Sequence, residues 1–130
     1  MEQKKKSVLL VDDDALCNTV NRIVLEKTNM VEDVETISNG YEAVHLLESK
    51  LKKQQPMPDL LLLDLNMPFM NGFEFLSTIQ KHFAIDHQQL DIIILSSSFD
   101  PRDKERTVAM GISQYIEKPL SVSIAIKALS

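Results

Sequence analysis

Pro58-Asp59-Leu60-Leu61-Leu62-Leu63-Asp64-Leu65-Asn66-Met67-Pro68 is the stretch on which the fold turns. Four consecutive leucines suit a helix as well as a strand when propensity alone is considered. Proline decides between the two. Pro56 and Pro58 before the run and Pro68 after it leave room only for a short element, because proline lacks an amide hydrogen and clashes inside a helix. The expectation is a strand over 60–63 that ends at Asp64.

Working outward, other apolar runs of strand length occupy 8–11 (Val-Leu-Leu-Val) and 92–95 (Ile-Ile-Ile-Leu), with weaker ones at 34–37 and 114–116. These strands are uninterrupted rather than alternating, which means that both sheet faces are covered, as in a parallel sheet. Helical patterns fill the gaps. Leu16, Val20, Ile23 and Val24 share one face, and so do Ala43, Val44, Leu47 and Leu51 after Asn39-Gly40. Both stripes are expected to face the core. Phe73, Leu76, Ile79 and Phe83 make a third stripe. A fourth helix, near 101–110, starts at Asp100-Pro101 as N-cap and first-turn proline and stops at Gly111. Its apolar face is thin: Val108 and Ala109, with Met110 nearby. A last helix begins at Ser121 and carries Ile124, Ala125, Ala128 and Leu129. Residues 84–91 read as a polar surface loop without chemistry. The order βαβαβαβαβα predicts an open parallel sheet with helices on both faces. Ligands in such sheets bind beyond the carboxyl ends of the strands, where the strand order switches.

Composition sets the frame. A chain of 130 residues fits a single domain, 1–130, with the basic residues of 1–6 read as a flexible tail. With 44% hydrophobic residues it can bury a full core without disulfide or structural metal. The single Cys17 has no internal partner, which suits a reducing compartment and a cytoplasmic setting. No apolar run approaches the roughly 20 residues that span a bilayer, and the N-terminal apolar run is too short for a signal peptide. A net charge of −5 argues against a direct nucleic-acid binder.

The strand ends carry the chemistry. Asp12, Asp13 and Asp14 follow the first strand, Asp64 the third, Ser96-Ser97-Ser98 the fourth, and Lys118-Pro119 the fifth. If the first and third strands are neighbours, Asp12, Asp13 and Asp64 meet in one cleft, where carboxylates raise one another's pKa. A hard cation among the oxygens makes the cluster tolerable, and Mg²⁺ or Mn²⁺ with open positions for a phosphate fits. Adding a lysine and a hydroxyl gives the parts of a phosphoryl-transfer site.

Val11-Asp12-Asp13-Asp14, Leu63-Asp64-Leu65-Asn66-Met67-Pro68 with Asn71-Gly72, Leu95-Ser96-Ser97, and Tyr115-Ile116-Glu117-Lys118-Pro119 together resemble the receiver domain of two-component response regulators. The resemblance covers essentially the whole chain. It implies a flavodoxin-like doubly wound (βα)5 fold with strand order 2-1-3-4-5. It implies that Asp64 accepts a phosphoryl group from the phosphohistidine of a sensor histidine kinase or a histidine phosphotransfer protein. Asp12 and Asp13 would be the acidic pair that holds the metal, Asp13 directly and Asp12 often through water, with the Asn66 backbone carbonyl as a further ligand. Ser96 would bond the phosphoryl group, Lys118 would pair with it through a typically cis Lys118-Pro119 bond, and Tyr115 would be the aromatic switch. Asn66 and Ser98 hold positions that tune hydrolysis in the family. The last helix ends earlier than is usual, which weighs against a dimer built through that face. The protein would be a signalling switch with an unknown downstream protein, not an enzyme acting on outside substrates. No output domain falls within these residues, which leaves a stand-alone regulator and a piece of a longer one both open.

Plainer readings stand beside each assignment. An Asp triplet after a strand is by itself a solvated turn, and Asp14 is read as the helix cap. Ser97 and Ser98 compete with Ser96, which its chain distance to Gly111 and Lys118 selects. Tyr115 could be packing alone. Met67, Met70 and Met110 read as fillers, Cys17 as a small helix residue, and His45, His82 and His87 as solvated. Rival functions are a metal-dependent aspartyl-phosphate phosphatase, whose nucleophile belongs on the first strand, and a phosphorylation-independent interaction module. A nucleotide-binding flavodoxin-like protein is a further rival, but only 3 glycines are present and no glycine-rich loop follows the first strand.

Overall fold

The computed structural model describes residues 4–82, 90–97, 100–112 and 114–130. Strands and helices alternate: β1 (Lys6–Val11), α1 (Ala15–Lys27), β2 (Val31–Ile37), α2 (Gly40–Lys52), β3 (Leu60–Leu63), α3 (Gly72–His82), β4 (Asp91–Ser96), α4 (Pro101–Ala109), β5 (Tyr115–Glu117) and α5 (Val122–Leu129). The five strands form one parallel sheet in the order β2-β1-β3-β4-β5, the expected doubly wound, flavodoxin-like arrangement. The leucine run of 60–63 is a strand buried at all four residues. β1 takes in Lys6, the last residue of the basic tail expected over 1–6. Phe83, His87, Ser98 and most of the loop expected over 84–91 lie outside the described residues.

The unbroken apolar strands are explained by two separate cores. Leu9, Val11, Leu61, Leu63, Ile92 and Ile94 point to one side, where they meet Leu47 of α2 and Phe75, Leu76 and Ile79 of α3. Val8, Leu10, Leu60, Leu62, Ile93 and Leu95 point to the other, against Leu25 of α1 and Ala125 and Leu129 of α5. Alternate side chains of a strand leave on opposite faces, so a strand covered on both sides must be apolar throughout. β2, at the sheet edge, is the exception, with Glu32, Asp33 and Glu35 exposed.

Two helix faces depart from expectation. The α1 stripe of Leu16, Val20 and Ile23 does share a face, but that face is solvent, with exposures of 73%, 48% and 49%. Asn18, Asn21 and Leu25 face the sheet instead, and Val24 is only partly buried against the core. The anchors at the helix start set this rotation. Asp14 caps the helix, its Oδ1 accepting from the Leu16 and Cys17 amides, and the Asn18 side chain donates to the Asp12 carbonyl. In α4 the inward residue is Thr107, whereas Val108 and Ala109 are exposed and Met110 is half-buried. The Asp100 cap, Pro101 in the first turn and Gly111 at φ 90 are as expected.

Candidate functional site

Strand register builds the site. Val11 pairs with Leu63, so the next residues, Asp12 and Asp64, stand side by side past the ends of β1 and β3. The Asp64 amide donates to the Val11 carbonyl at 3.0 Å, which extends the ladder by one step. Asp12, Asp13 and Asp64 each offer an oxygen, and the three oxygens lie within 4.8 Å of one another. Asp12 and Asp64 are buried and Asp13 is exposed, which gives the cluster a mouth to solvent.

Lys118 closes the other side. Its Nζ donates to Asp12 Oδ2 at 2.6 Å and lies 3.8 Å from Asp64 Oδ2. β5 delivers it there. The Lys118 amide donates to the Ser96 carbonyl at 3.0 Å, and the Lys118-Pro119 bond is cis, as the resemblance implies. Ser96 itself is fully buried at the end of β4. Asn66 is exposed, and its amide donates to Asp64 Oδ1 at 3.4 Å. Tyr115 is half-buried against the first core, with the Lys104 ammonium 5.6 Å from its ring centre.

The loop that follows Asp64 is held from both ends. Asn71 and Glu74 cap α3 reciprocally: Asn71 Oδ1 accepts from the Glu74 amide at 2.9 Å, and Glu74 Oε1 accepts from the Asn71 amide at 3.2 Å. Gly72 is required here, since a Cβ at this position would fall 2.8 Å from the Asp64 carbonyl oxygen. Phe69, in the loop after Asp64, is exposed, with a left-handed φ of 68.

Electrostatics follow from burial. Loss of water and the Asp12 carboxylate raise Asp64 to about 6, against the pull of Lys118. For Lys118, burial opposes the charge. The hydrogen bond to Asp12 and the field of Asp64 outweigh that and hold the ammonium above its ordinary value. An all-oxygen donor set, crowded enough to push a carboxyl toward neutrality and open on one side, fits a hard divalent cation that keeps some waters. The acidic triad can hold such an ion.

Two neighbours of the site carried no recognisable signal in the sequence. Asn18 is buried in α1 and holds Asp12 from beneath. Cys17 is half-buried beside Lys118; burial raises its thiol and the lysine draws it back. Both look like ordinary helix positions until the rotation of α1 is known.

Fold and site together define a doubly wound α/β protein with an acidic, cation-compatible pocket where its strand order switches. The chain belongs to the response regulator receiver domain family, whose model matches residues 8–130. It is a signalling module of two-component systems rather than a conventional enzyme, and domains of this family partner with histidine kinases. It is similar to the probable C4-dicarboxylate response regulator DctR of Halalkalibacterium halodurans, 32% identical over 114 residues, which are 88% of this chain and 45% of that protein. It is also similar to the sensor histidine kinase CheAY of Helicobacter pylori, 30% identical over 88% of this chain and 13% of that one. The chain spans about half the length of the DctR relatives it matches. Among solved structures, a two-component response regulator from Cytophaga hutchinsonii superposes with a TM-score of 0.87 at 32% identity, covering 98% of this chain and 95% of that one. The chemotaxis protein CheY4 of Vibrio cholerae superposes with a TM-score of 0.74 at 27% identity, with 96% of each chain covered.

Proposed function

We propose that residues 1–130 form one receiver domain that accepts a phosphoryl group on Asp64 in a step that depends on a divalent cation. The observation that carries this reading is the meeting of three carboxylates with the Lys118 ammonium at the ends of β1, β3 and β5. The donor is the phosphohistidine of a sensor histidine kinase or a histidine phosphotransfer protein in the cytoplasm. An Asp64 carboxylate oxygen forms the new bond to phosphorus. The bond from phosphorus to the donor imidazole breaks, its electron pair returns to the ring nitrogen, and that nitrogen takes up a proton.

Asp12, Asp13, Asp64 and the Asn66 carbonyl would hold Mg²⁺ or Mn²⁺, which neutralises charge between carboxylates and phosphoryl oxygens when bound. Lys118 supplies a fixed positive charge next to Asp64, and its bond to Asp12 keeps it aimed there. The Ser96 hydroxyl serves the incoming phosphoryl oxygens as a donor. The added charge of nearly two units shifts the β4–α4 region and Tyr115 between populations and so changes a face read by a downstream protein. Removing Tyr115 from its packed position also means separating it from Lys104.

Mass spectrometry after incubation with acetyl phosphate and Mg²⁺ tests the core of this reading. The protein should gain one phosphoryl mass, Asp64→Asn should gain none, and EDTA should abolish the gain. Full labelling of Asp64→Asn would place the acceptor elsewhere. A wild-type protein that stays unlabelled and does not bind Mg²⁺ would point to a phosphorylation-independent module.

A further inference from the structure

Asn18 is 5% exposed, at a point where an amphipathic helix would place an aliphatic side chain. Its Nδ2 donates to the Asp12 backbone carbonyl at 2.8 Å. Only the amide nitrogen can face that oxygen, so the orientation of the group is fixed by its chemistry. The other end, Oδ1, is buried and has no hydrogen-bond partner among the described residues. Asn18 lines, with Arg22, Thr36 and Ser38, a cavity of about 280 Å³ between α1, β2 and the turn into α2. Burying an acceptor without a protein partner is destabilising where nothing else satisfies it. On the same helix Leu16, Val20 and Ile23 face solvent. Stability of the fold alone favours the reverse arrangement.

Peptide geometry indicates what is gained. The Asp12 carbonyl and the Asp13 amide belong to one rigid plane. Asp12 lies just past the last residue of β1, and its amide still donates to the Ile37 carbonyl at 3.1 Å. Its carboxylate is fixed twice, by the Asp14 amide at 3.0 Å and by Lys118 at 2.6 Å. The carbonyl is fixed by Asn18. Holding that oxygen sets the tilt of the Asp12–Asp13 peptide, and with it the direction from which the Asp13 side chain departs. We propose that Asn18 is a positioning residue that orients this peptide so that both carboxylates serve the cation beside Asp64. The proposal rests on the cation-dependent reading of the site and adds to it a residue that touches neither ion nor phosphoryl group.

The test is titration calorimetry of the full chain with MgCl2, paired with melting temperatures in EDTA. Asn18→Leu should weaken Mg²⁺ binding by about 10-fold to 100-fold, the range found when a group orienting a metal ligand is lost. It should melt in EDTA at or above the wild-type temperature. Asn18→Gln, which keeps an N–H donor, should recover part of the affinity. Asn21→Leu fills another buried polar position of α1 and should leave Mg²⁺ affinity unchanged. At saturating Mg²⁺ the rate of labelling by acetyl phosphate in Asn18→Leu should approach that of wild type. Should Asn18→Leu not fold, Asn18→Ala is judged by the same affinity criterion. Binding by Asn18→Leu within threefold of wild type overturns the proposal, as does an equal loss in Asn21→Leu. Wild-type protein that binds no Mg²⁺ instead sinks the reading on which the proposal rests, so the two failures are told apart.

Discussion

Asp64 ties the chemistry of the site to the stability of the chain. Its carboxyl is raised to about 6 in the folded protein by burial and by Asp12, against about 3.9 in an unfolded chain. The folded state therefore holds this proton more tightly. The stability it contributes is complete below the unfolded value and is lost as pH rises through the folded one. In EDTA the unfolding free energy should fall from about pH 4 to pH 6, with Asp64 responsible for on the order of 1–3 kcal/mol. Asp64→Asn should flatten that part of the curve and be more stable than wild type at neutral pH without metal. Urea denaturation across this pH series checks it, and a variant with an undiminished slope would contradict the assignment. At this scale the sequence was informative wherever a residue stands at the end of a strand, since Asp12, Asp64 and Lys118 meet through the register of regular parallel ladders. Asn18 was not legible, because its meaning depends on which way a helix is turned.

Helix rotation is the level at which periodicity alone fell short. The spacing of Leu16, Val20 and Ile23 identifies one face of α1 correctly, and burial then assigns that face to water. An apolar period states which side chains align; it does not state what they align with. The inward face is fixed by hydrogen bonds at the helix start, from Asp14 and Asn18, which no window of hydrophobicity contains. For α2 the expectation and the structure agree, since Ala43 and Leu47 are buried and Val44 and Leu51 pack against the first core. The exposed stripe of α1 begins two residues after Asp14 and so runs away from the mouth of the acidic pocket. On the proposed function, a donor protein that brings a phosphohistidine to Asp64 would approach across this ground. The double variant Leu16→Ser/Ile23→Ser should keep its stability to within about 0.5 kcal/mol, as surface changes do. Phosphotransfer from a phosphohistidine donor should slow by at least about tenfold, equivalent to 1.4 kcal/mol, while labelling by acetyl phosphate stays at the wild-type rate. Equal slowing with both donors would show that the variant damages the pocket itself.

Across the whole molecule, proline punctuation and covered strands make the architecture readable, and no helix among the described residues is long and apolar enough to cross a membrane. A sheet of this kind closes neither side, and among the described residues β2 is bonded to β1 alone. Its outer margin shows a row of backbone donors and acceptors that a second copy of the chain could use. Glu32, Asp33 and Glu35 stand along that margin, exposed and of one sign. Two molecules approaching margin to margin would bring acid against acid before any backbone bond could form. Replacing Glu32 and Glu35 with threonine should leave the melting temperature nearly unchanged yet produce oligomers by sedimentation velocity at high concentration, and a strictly monomeric double variant would refute this. The acids of β2 would then be guardians against runaway sheet extension, keeping a crowded population of these molecules from knitting itself into fibres.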